Sequence, residues 1–588
     1  MYSNSRNSIV AILILILLFL IMTFSLFKLQ ILRGQEYSSI ADKNFVRIKN
    51  IQPVRGEIYD RNYRPIAVNK PSNNLYISPG KIRNREDVAK FVSDNFEVDL
   101  EEIRKIIHNN RFRLHNDVLL IQDVDYEKVV EISEQLNYYP SLSFLTETLR
   151  EYMYNNHFTG YVGKINDKEF EKLKPEGYFN NSKIGKNGLE KYYESRLRGD
   201  NGYEVIQVDA TGKSLEFFKY NLNQNPHNGA NLILTIDNDL QAYINEIFPK
   251  DLKGSMVVMD VKTGGILAYI SQPEYDQNLF VNKLSSKDWN RLMNDPDKPM
   301  LDRVIHSSYP PGSVYKPIIA TLGLEKELIT TRTKMSSCDG GMMVGNRYFK
   351  CWWHNGHGKL NVIDAMKVSC DVFYYDLSLQ LTLEEIQDFT ASNHLTRKTG
   401  VDLFGERNGF FPTREWYKKN YGKYVGIIGP KVNISIGQGE LLTTPLQIGC
   451  YYNALANNGI WVQPHLLSKT IYEDRTEDYE PRREKLPVSQ EHLDDMNEAL
   501  YKTVNAKYGT GSSTRLAGAK VYGKTGSAEN HMGKLTHSWM AGYAAWDDEP
   551  EISYVVFVEN GGHGGSVGGP IAGKMLKFYD KLRSKDQE

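Results

Sequence analysis

Three short motifs and one cysteine–histidine group hold the reactive side chains of this sequence. In Tyr309-Pro310-Pro311-Gly312-Ser313-Val314-Tyr315-Lys316-Pro317 a serine precedes a lysine by three positions. Pro317 lacks an N–H and fits a helix only in its first turn, which places Ser313 at or near a helix N-terminus. Ser313 and Lys316 are then i, i+3 neighbours, about 5–6 Å apart at Cβ. A serine hydroxyl is a weak nucleophile that needs an adjacent base, and a lysine becomes one when burial or a nearby cation lowers its pKa. Unpaired N–H groups at a helix start also suit an oxyanion. The spacing alone is cheap, since Ser25–Lys28 and Ser78–Lys81 share it.

The second motif, Ser369-Cys370-Asp371, follows an expected helical run over Val362–Val368. A hydroxyl and a carboxylate at such a junction can relay a proton and orient an ammonium, though both residue types also serve as ordinary helix caps. The third is Lys524-Thr525-Gly526-Ser527. Lys-Thr-Gly occurs as well at 262–264, in an expected hairpin turn, and at 398–400, in an expected loop. Only at 524 does it continue a strand, Val521-Tyr522-Gly523. There Lys524 and Thr525 can hold a carboxylate, and Gly526 lets a ligand backbone come close.

Cys338, Cys351, His357 and Cys370 follow the spacing Cys-x12-Cys-x5-His-x12-Cys. Three thiolates and an imidazole suit a closed, tetrahedral zinc site with no open position for catalysis. His354 and Asp339 are alternative ligands. A Cys338–Cys351 disulfide with Cys370 free is a second reading, and unlinked thiols a third. Cys450 reads as a plain buried residue. Trp352 and Trp353 read as packing around their loop, and Gly561-Gly562-His563-Gly564-Gly565 as a strand-to-helix loop at a cleft rim.

The elements that must hold these groups are legible in outline. Ile9–Phe27 carries no charge and, at 1.5 Å per residue, spans about 28 Å as a helix, close to the roughly 30 Å hydrocarbon core. Thr23-Phe24-Ser25 is a poor cleavage site, so the run reads as a retained anchor with a short inside tail and the rest of the chain exported. Gly185–Gly202 reads as one capped helix with Leu189, Tyr193 and Leu197 on a single face. A strand at Leu232–Asp237 and a helix at Asp239–Phe248 precede a hairpin of 255–261 with 265–271. Strands return at 519–522, 539–546 and 552–559, and a last helix follows Pro570. Strands, then helices, then strands imply an α+β domain whose sheet is assembled from both ends of its sequence.

At 588 residues the chain is long enough for three or four such units. Lys+Arg total 71 against 72 Asp+Glu, a balance that argues against nucleic acid as the partner. The hydrophobic fraction of 41% excludes general disorder, and four cysteines exclude a disulfide scaffold.

Ser-x-x-Lys, Ser-x-Asp and Lys-Thr-Gly, in that order on an α+β domain, resemble the penicillin-recognising acyl-serine enzymes. Arg55-Gly56-Glu57-Ile58-Tyr59-Asp60-Arg61, and Gly188-Leu189-Glu190 through Leu197-Arg198-Gly199, look like pedestal motifs of class B penicillin-binding proteins. Gly437-Gln438-Gly439, Thr443-Thr444-Pro445-Leu446-Gln447 and His537-Ser538-Trp539 look like transpeptidase signatures. Tyr309–Ser313, Gly356-His357-Gly358 and Asp371 are most similar to the elongation-type, penicillin-binding protein 2 subgroup. No glycosyltransferase-like domain precedes the transpeptidase, unlike the bifunctional class A type.

The resemblance implies a tail at 1–8, a transmembrane helix at 9–27, an elongated mixed α/β pedestal at 28–250 with an inserted head at about 70–160, and a transpeptidase domain at 251–588 with an antiparallel sheet between helices. It implies D,D-transpeptidation of peptidoglycan stem peptides or a lipid-linked precursor, a carboxypeptidase side activity, and inhibition by β-lactams. Ser313 would be the nucleophile, Lys316 the base, Ser369 the proton shuttle and Asp371 the holder of the network. Lys524 and Thr525 would bind the terminal carboxylate, with Gly526 and Ser527 completing the substrate strand. The N–H groups of Ser313 and Ser527 would form the oxyanion hole. Catalysis needs no cofactor. The expected partners are a SEDS-type membrane glycosyltransferase and elongation-complex proteins, with the bulk of the chain on the periplasmic side of the inner membrane. A septal transpeptidase, a β-lactam-binding scaffold and a β-lactamase or sensor are the rival functions.

Overall fold

The computed structural model describes residues 3–34, 46–112, 117–180, 182–207, 223–281, 284–530 and 535–586. The apolar run forms helix α1 (Ser3–Phe27), continued by a wider helical turn at Lys28–Leu32. Its side chains from Ile9 to Leu32 all face outward. Among the described residues Ile9–Leu32 is the one helical stretch long and apolar enough to cross a membrane. Met1 and Tyr2 of the expected tail lie outside the described residues.

The chain divides into two compact units, α1 counting with the first. One takes in residues 72–147 together with an antiparallel pair, Val46–Ile51 with Gly202–Gln207. Its core gathers Leu75, Ile77, Val88, Val92, Ile103 and Ile107. The last four come from helices Arg85–Phe96 and Leu100–Asn109, whose free N–H groups are capped by the side chains of Asn84 and Asp99.

The other unit comprises residues 55–71, 148–198 and 229–588. Here the two expected pedestal motifs meet. The fully buried Glu190 carboxylate accepts from Arg55 Nε at 2.7 Å and from Arg150 Nε at 2.8 Å. Burial alone would raise its pKa, but the two guanidiniums hold it below the ordinary value. Arg55 also bonds Glu194, whose carboxylate accepts the Gly185 N–H. The single helix expected over 185–202 is instead two short ones, Gly188–Tyr192 and Glu194–Leu197. Tyr193 between them sits at φ −103°, ψ 24°, outside the helical well, and its hydroxyl reaches the Asp402 carboxylate at 2.9 Å. Leu189, Tyr193 and Leu197 are nevertheless all buried.

Five antiparallel strands make the central sheet: β1 (Lys253–Asp260), β2 (Ile266–Gln272), β3 (Lys520–Ala528), β4 (His537–Trp546) and β5 (Glu549–Glu559). Their order is β2-β1-β5-β4-β3, so strands from both ends of the domain interleave. Side chains alternate across the pleat. Val257 and Met259 enter one core with helices α2 (Lys316–Glu325), α3 (Val362–Lys367), α4 (Asp371–Leu379) and α5 (Pro445–Ala456). Met256 and Val258 enter the opposite core, with the helix Asn238–Ile247 and α6 (Gly568–Asp586). Both faces are covered, which is why these strands read as continuous apolar runs. Strand β3 lies at the sheet edge.

Candidate active site

Ser313 sits in a tight helical turn, Gly312–Tyr315, that leads directly into α2 with Pro317 in its first turn. The serine is therefore one turn ahead of the α-helix proper. Gly312 adopts φ +57°, and a Cβ there would lie 2.9 Å from Ser527 O. The turn is held from outside: Gly312 N–H donates to Gly437 O at 2.8 Å, and Trp539 Nε1 donates to Pro310 O at 3.0 Å. Tyr309 OH donates to Glu559 Oε1 at 2.6 Å, a carboxylate that also accepts from Arg303 Nε at 2.9 Å.

Lys316 is fully buried. Its Nζ donates to Ser369 O at 2.8 Å, Ser369 Oγ at 3.1 Å and Asp371 Oδ1 at 2.7 Å. These three acceptors account for an ammonium's three protons. Ser369 joins α3 to α4 at φ +57°, a left-handed backbone that is strained for a residue with a side chain. That conformation places its hydroxyl between two lysines, because Lys524 Nζ donates to the same Oγ at 2.8 Å. Lys524 is fully buried as well. Burial, and after it the charge of Lys316, hold its pKa well below the ordinary lysine value. Two lysines thus face the single carboxylate of Asp371, an arrangement that favours an anionic ligand.

Strand β3 supplies the opposite wall. Thr525 Oγ1 donates to Thr510 Oγ1 at 3.0 Å. A Cβ on Gly526 would lie 3.1 Å from both Pro311 O and Val314 Cγ1, so this glycine admits the turn that carries Ser313. Ser527 O accepts from Gln438 Nε2 at 3.0 Å. In an extended strand the N–H and C=O of one residue point to the same side. The Ser527 N–H therefore also lies along the open edge of β3. The Lys-Thr-Gly tripeptides at 262–264 and 398–400 lie in the turn between β1 and β2 and in a loop, outside any strand.

The cysteine–histidine group assembles against the same network. The ligand atoms of Cys338, Cys351, His357 and Cys370 all lie within 4.8 Å of one another. Each of Cys338 Sγ and Cys351 Sγ is 3.6 Å from His357 Nδ1. With metal–sulfur and metal–nitrogen bonds of about 2.3 and 2.0–2.1 Å, a tetrahedral zinc has an S···N edge of about 3.6 Å, so the donor set fits that ion. All four cysteines are free thiols, and Cys338 and Cys351 are not joined. The Asp371 N–H points to Cys351 Sγ at 3.4 Å, and Trp352 N donates to Asp371 Oδ2 at 2.9 Å. Trp352 and Trp353 are 55% and 42% exposed rather than packed under the loop. Cys450 is buried, and 561–565 forms the loop from β5 to α6.

Sequence reasoning placed Gln438 in a signature tripeptide without a role for its side chain, and passed over Glu559, Arg303 and Arg150. Each acts on a partner far away in the chain. The available signal was the flanking Gly437 and Gly439, both at positive φ.

The penicillin-binding protein transpeptidase domain family matches residues 254–577, and the penicillin-binding protein dimerisation domain family matches residues 50–234. The chain belongs to the class B penicillin-binding proteins. One relative in that family, the peptidoglycan D,D-transpeptidase MrdA of Haemophilus influenzae, is 32% identical over 98% of this chain and 91% of its own length. The PBP2 of Helicobacter pylori, solved in complex with MreC, superposes with a TM-score of 0.80 at 27% identity, covering 91% of this chain and 99% of that one. A component of a peptidoglycan synthase complex that coordinates polymerisation and crosslinking superposes at 0.71 and 25% identity, covering 98% of both chains.

Proposed function

We propose that this class B penicillin-binding protein is an anchored peptidoglycan D,D-transpeptidase of cell elongation. The observation that carries this reading is the Ser369 hydroxyl shared by two buried lysines, one of them three residues after Ser313. Ser313 Oγ attacks the carbonyl of the penultimate D-Ala while its proton passes to Lys316, which has first handed one of its own protons through the Ser369 hydroxyl to Lys524. The oxyanion lies between the N–H groups of Ser313 and Ser527. Lys524 and Thr525 hold the terminal carboxylate, which offsets the second buried cation. Ser369 returns the proton to the departing D-Ala amine, leaving an ester on Ser313. An amine from a neighbouring stem attacks that ester, gives its proton to Lys316, and restores the Ser313 hydroxyl through the same relay. A β-lactam presents the dipeptide shape and stops at the ester.

Helix α1 serves as a single-pass anchor, with the two units on the periplasmic side of the inner membrane. Residues 28–250 act as pedestal, with their insertion at about 70–160, and 251–588 as catalytic domain. The likeness to a PBP2 bound to MreC and to a peptidoglycan synthase component supports a SEDS-type glycosyltransferase and an MreC-like scaffold as partners. Incubating the full-length protein with a fluorescent penicillin and mapping the adduct by peptide mass spectrometry tests the reading. One long-lived adduct on Ser313 is expected, and a folded protein that takes none refutes the assignment.

Cys338, Cys351, His357 and Cys370 would hold a structural zinc. Their ligation would fix the loop that carries Cys351 and Trp352, whose N–H keeps the Asp371 carboxylate aimed at Lys316. Purified protein is expected to carry about one zinc per chain, and stripping it with a chelator to slow acylation and lower the melting temperature together. Less than about 0.2 zinc per chain in protein purified without chelator contradicts this site.

A further inference from the structure

The loop Gly437-Gln438-Gly439 touches both walls of the site through two consecutive residues. Gly437 O accepts the Gly312 N–H at 2.8 Å, immediately before Ser313. The approach is close: a Cβ on Gly437 would lie 2.1 Å from Gly312 O. The side chain of Gln438 reaches the other wall, where Nε2 donates to Ser527 O at 3.0 Å and Oε1 accepts the Glu529 N–H at 3.1 Å. One amide therefore engages the carbonyl of one edge residue and the N–H of the residue two further on. A residue of an added parallel strand, whose own N–H and C=O face the same side, would bond an edge in the same way. The loop is itself braced, since Gly437 N and Gln438 N donate to Ile434 O and Asn433 O.

We propose that Gln438 is a positioning residue that fixes the distance between the two N–H groups of the oxyanion hole, by using its side-chain amide as a surrogate strand residue on the open edge of β3. The inference rests on the acyl-serine reading above, in which those groups belong to Ser313 and Ser527. Gln438 touches neither the nucleophile nor the leaving group. It acts through Ser527, while its neighbour acts through Gly312. An oxyanion is present only in the transition state and the tetrahedral intermediate, so a widened hole slows acylation and leaves ground-state binding intact. Without the amide, the end of β3 is released from the loop that holds the nucleophile turn. Ångström-scale misplacement of catalytic groups costs up to about 100-fold in rate.

The test compares full-length wild-type protein with Gln438→Ala and Gln438→Glu. Acylation by a β-lactam is resolved into the non-covalent dissociation constant and the first-order acylation rate, and affinity is measured for a boronic acid that forms a tetrahedral adduct on Ser313. For Gln438→Ala the acylation rate is expected to fall by at least about tenfold, with boronate affinity falling in parallel and the dissociation constant changing less than about twofold. Gln438→Glu keeps the size and the acceptor for Glu529 N–H but meets Ser527 O with a carboxylate, and is expected to show the same loss. It carries the test if the alanine variant does not fold. Acylation at the wild-type rate by either folded variant, or a loss confined to the dissociation constant, overturns the proposal. Wild-type protein that is not acylated on Ser313 would instead refute the underlying reading.

Discussion

Alanine at position 313 is expected to yield a protein that folds and binds β-lactams but is never acylated by them. The substitution removes one half-buried oxygen from a turn whose shape is set by other groups: Gly312 N–H on Gly437 O, Trp539 Nε1 on Pro310 O, and Pro317 at the start of α2. Surface and half-exposed changes of this kind shift stability by about 0.5 kcal/mol or less. The carboxylate-binding side is untouched, since Lys524 and Thr525 belong to β3. Non-covalent affinity for a penicillin should therefore stay near the wild-type value while the covalent adduct disappears. Intact mass after prolonged incubation reads this directly. An adduct retained at the wild-type level would move the nucleophile elsewhere, Ser369 being the hydroxyl bonded to both lysines.

Removing Lys316 is expected to damage both chemistry and stability, and the two losses can be separated. Loss of a general base typically costs about 10²–10⁴-fold in rate. Lys316→Met also strands the Asp371 carboxylate, which is 10% exposed at its side chain and bonded at Oδ1 to the lysine. Breaking a buried pair by deleting one partner costs about 3–5 kcal/mol. Adding Asp371→Asn removes the stranded charge, and the amide keeps an oxygen for Trp352 N–H. The double variant should recover most of the thermal stability of the wild type and none of its acylation rate. If acylation returned together with stability, Lys316 would be a structural cation rather than the base. Thermal unfolding and β-lactam acylation on the same preparations decide between these outcomes.

What the sequence disclosed depended on how far apart the interacting residues lie. The i, i+3 pairing of Ser313 with Lys316 is local and follows from the first turn of one helix. The strand character of 520–528 is also local, and it singled out, among three, the Lys-Thr-Gly whose lysine the structure brings to Ser369. The cysteine–histidine group was legible as a set because few residue types compete for such a role. The contact of Lys524 with Ser369 spans 155 positions and depends on which strand lies at the sheet edge, which no local pattern encodes. The roles of Gln438 and Glu559 were hidden for the same reason. The unbroken helix expected over 185–202 failed because tertiary bonds from Tyr193 and Glu194 outweighed periodicity. Trp352 and Trp353 were assigned to packing by residue type alone; Trp352 Nε1 does donate to Val368 O at 3.0 Å, but the two residues remain 55% and 42% exposed.

The interleaved order of the sheet also bears on biogenesis. Strand β1 is hydrogen-bonded on one side to β2, its neighbour in sequence, and on the other to β5, with Lys253 opposite Glu559. During synthesis at about 5–20 residues per second, β1 and β2 emerge tens of seconds before the strand that completes their sheet. Through that interval the hairpin presents an unpaired apolar edge, the kind of surface that pairs with the wrong chain. The turn that carries Ser313 exists before that interval ends, but the opposite wall of the site, β3, is among the last segments made. A chain of this order cannot acquire acylating activity piecemeal: the nascent protein remains catalytically silent until nearly all of it has been delivered.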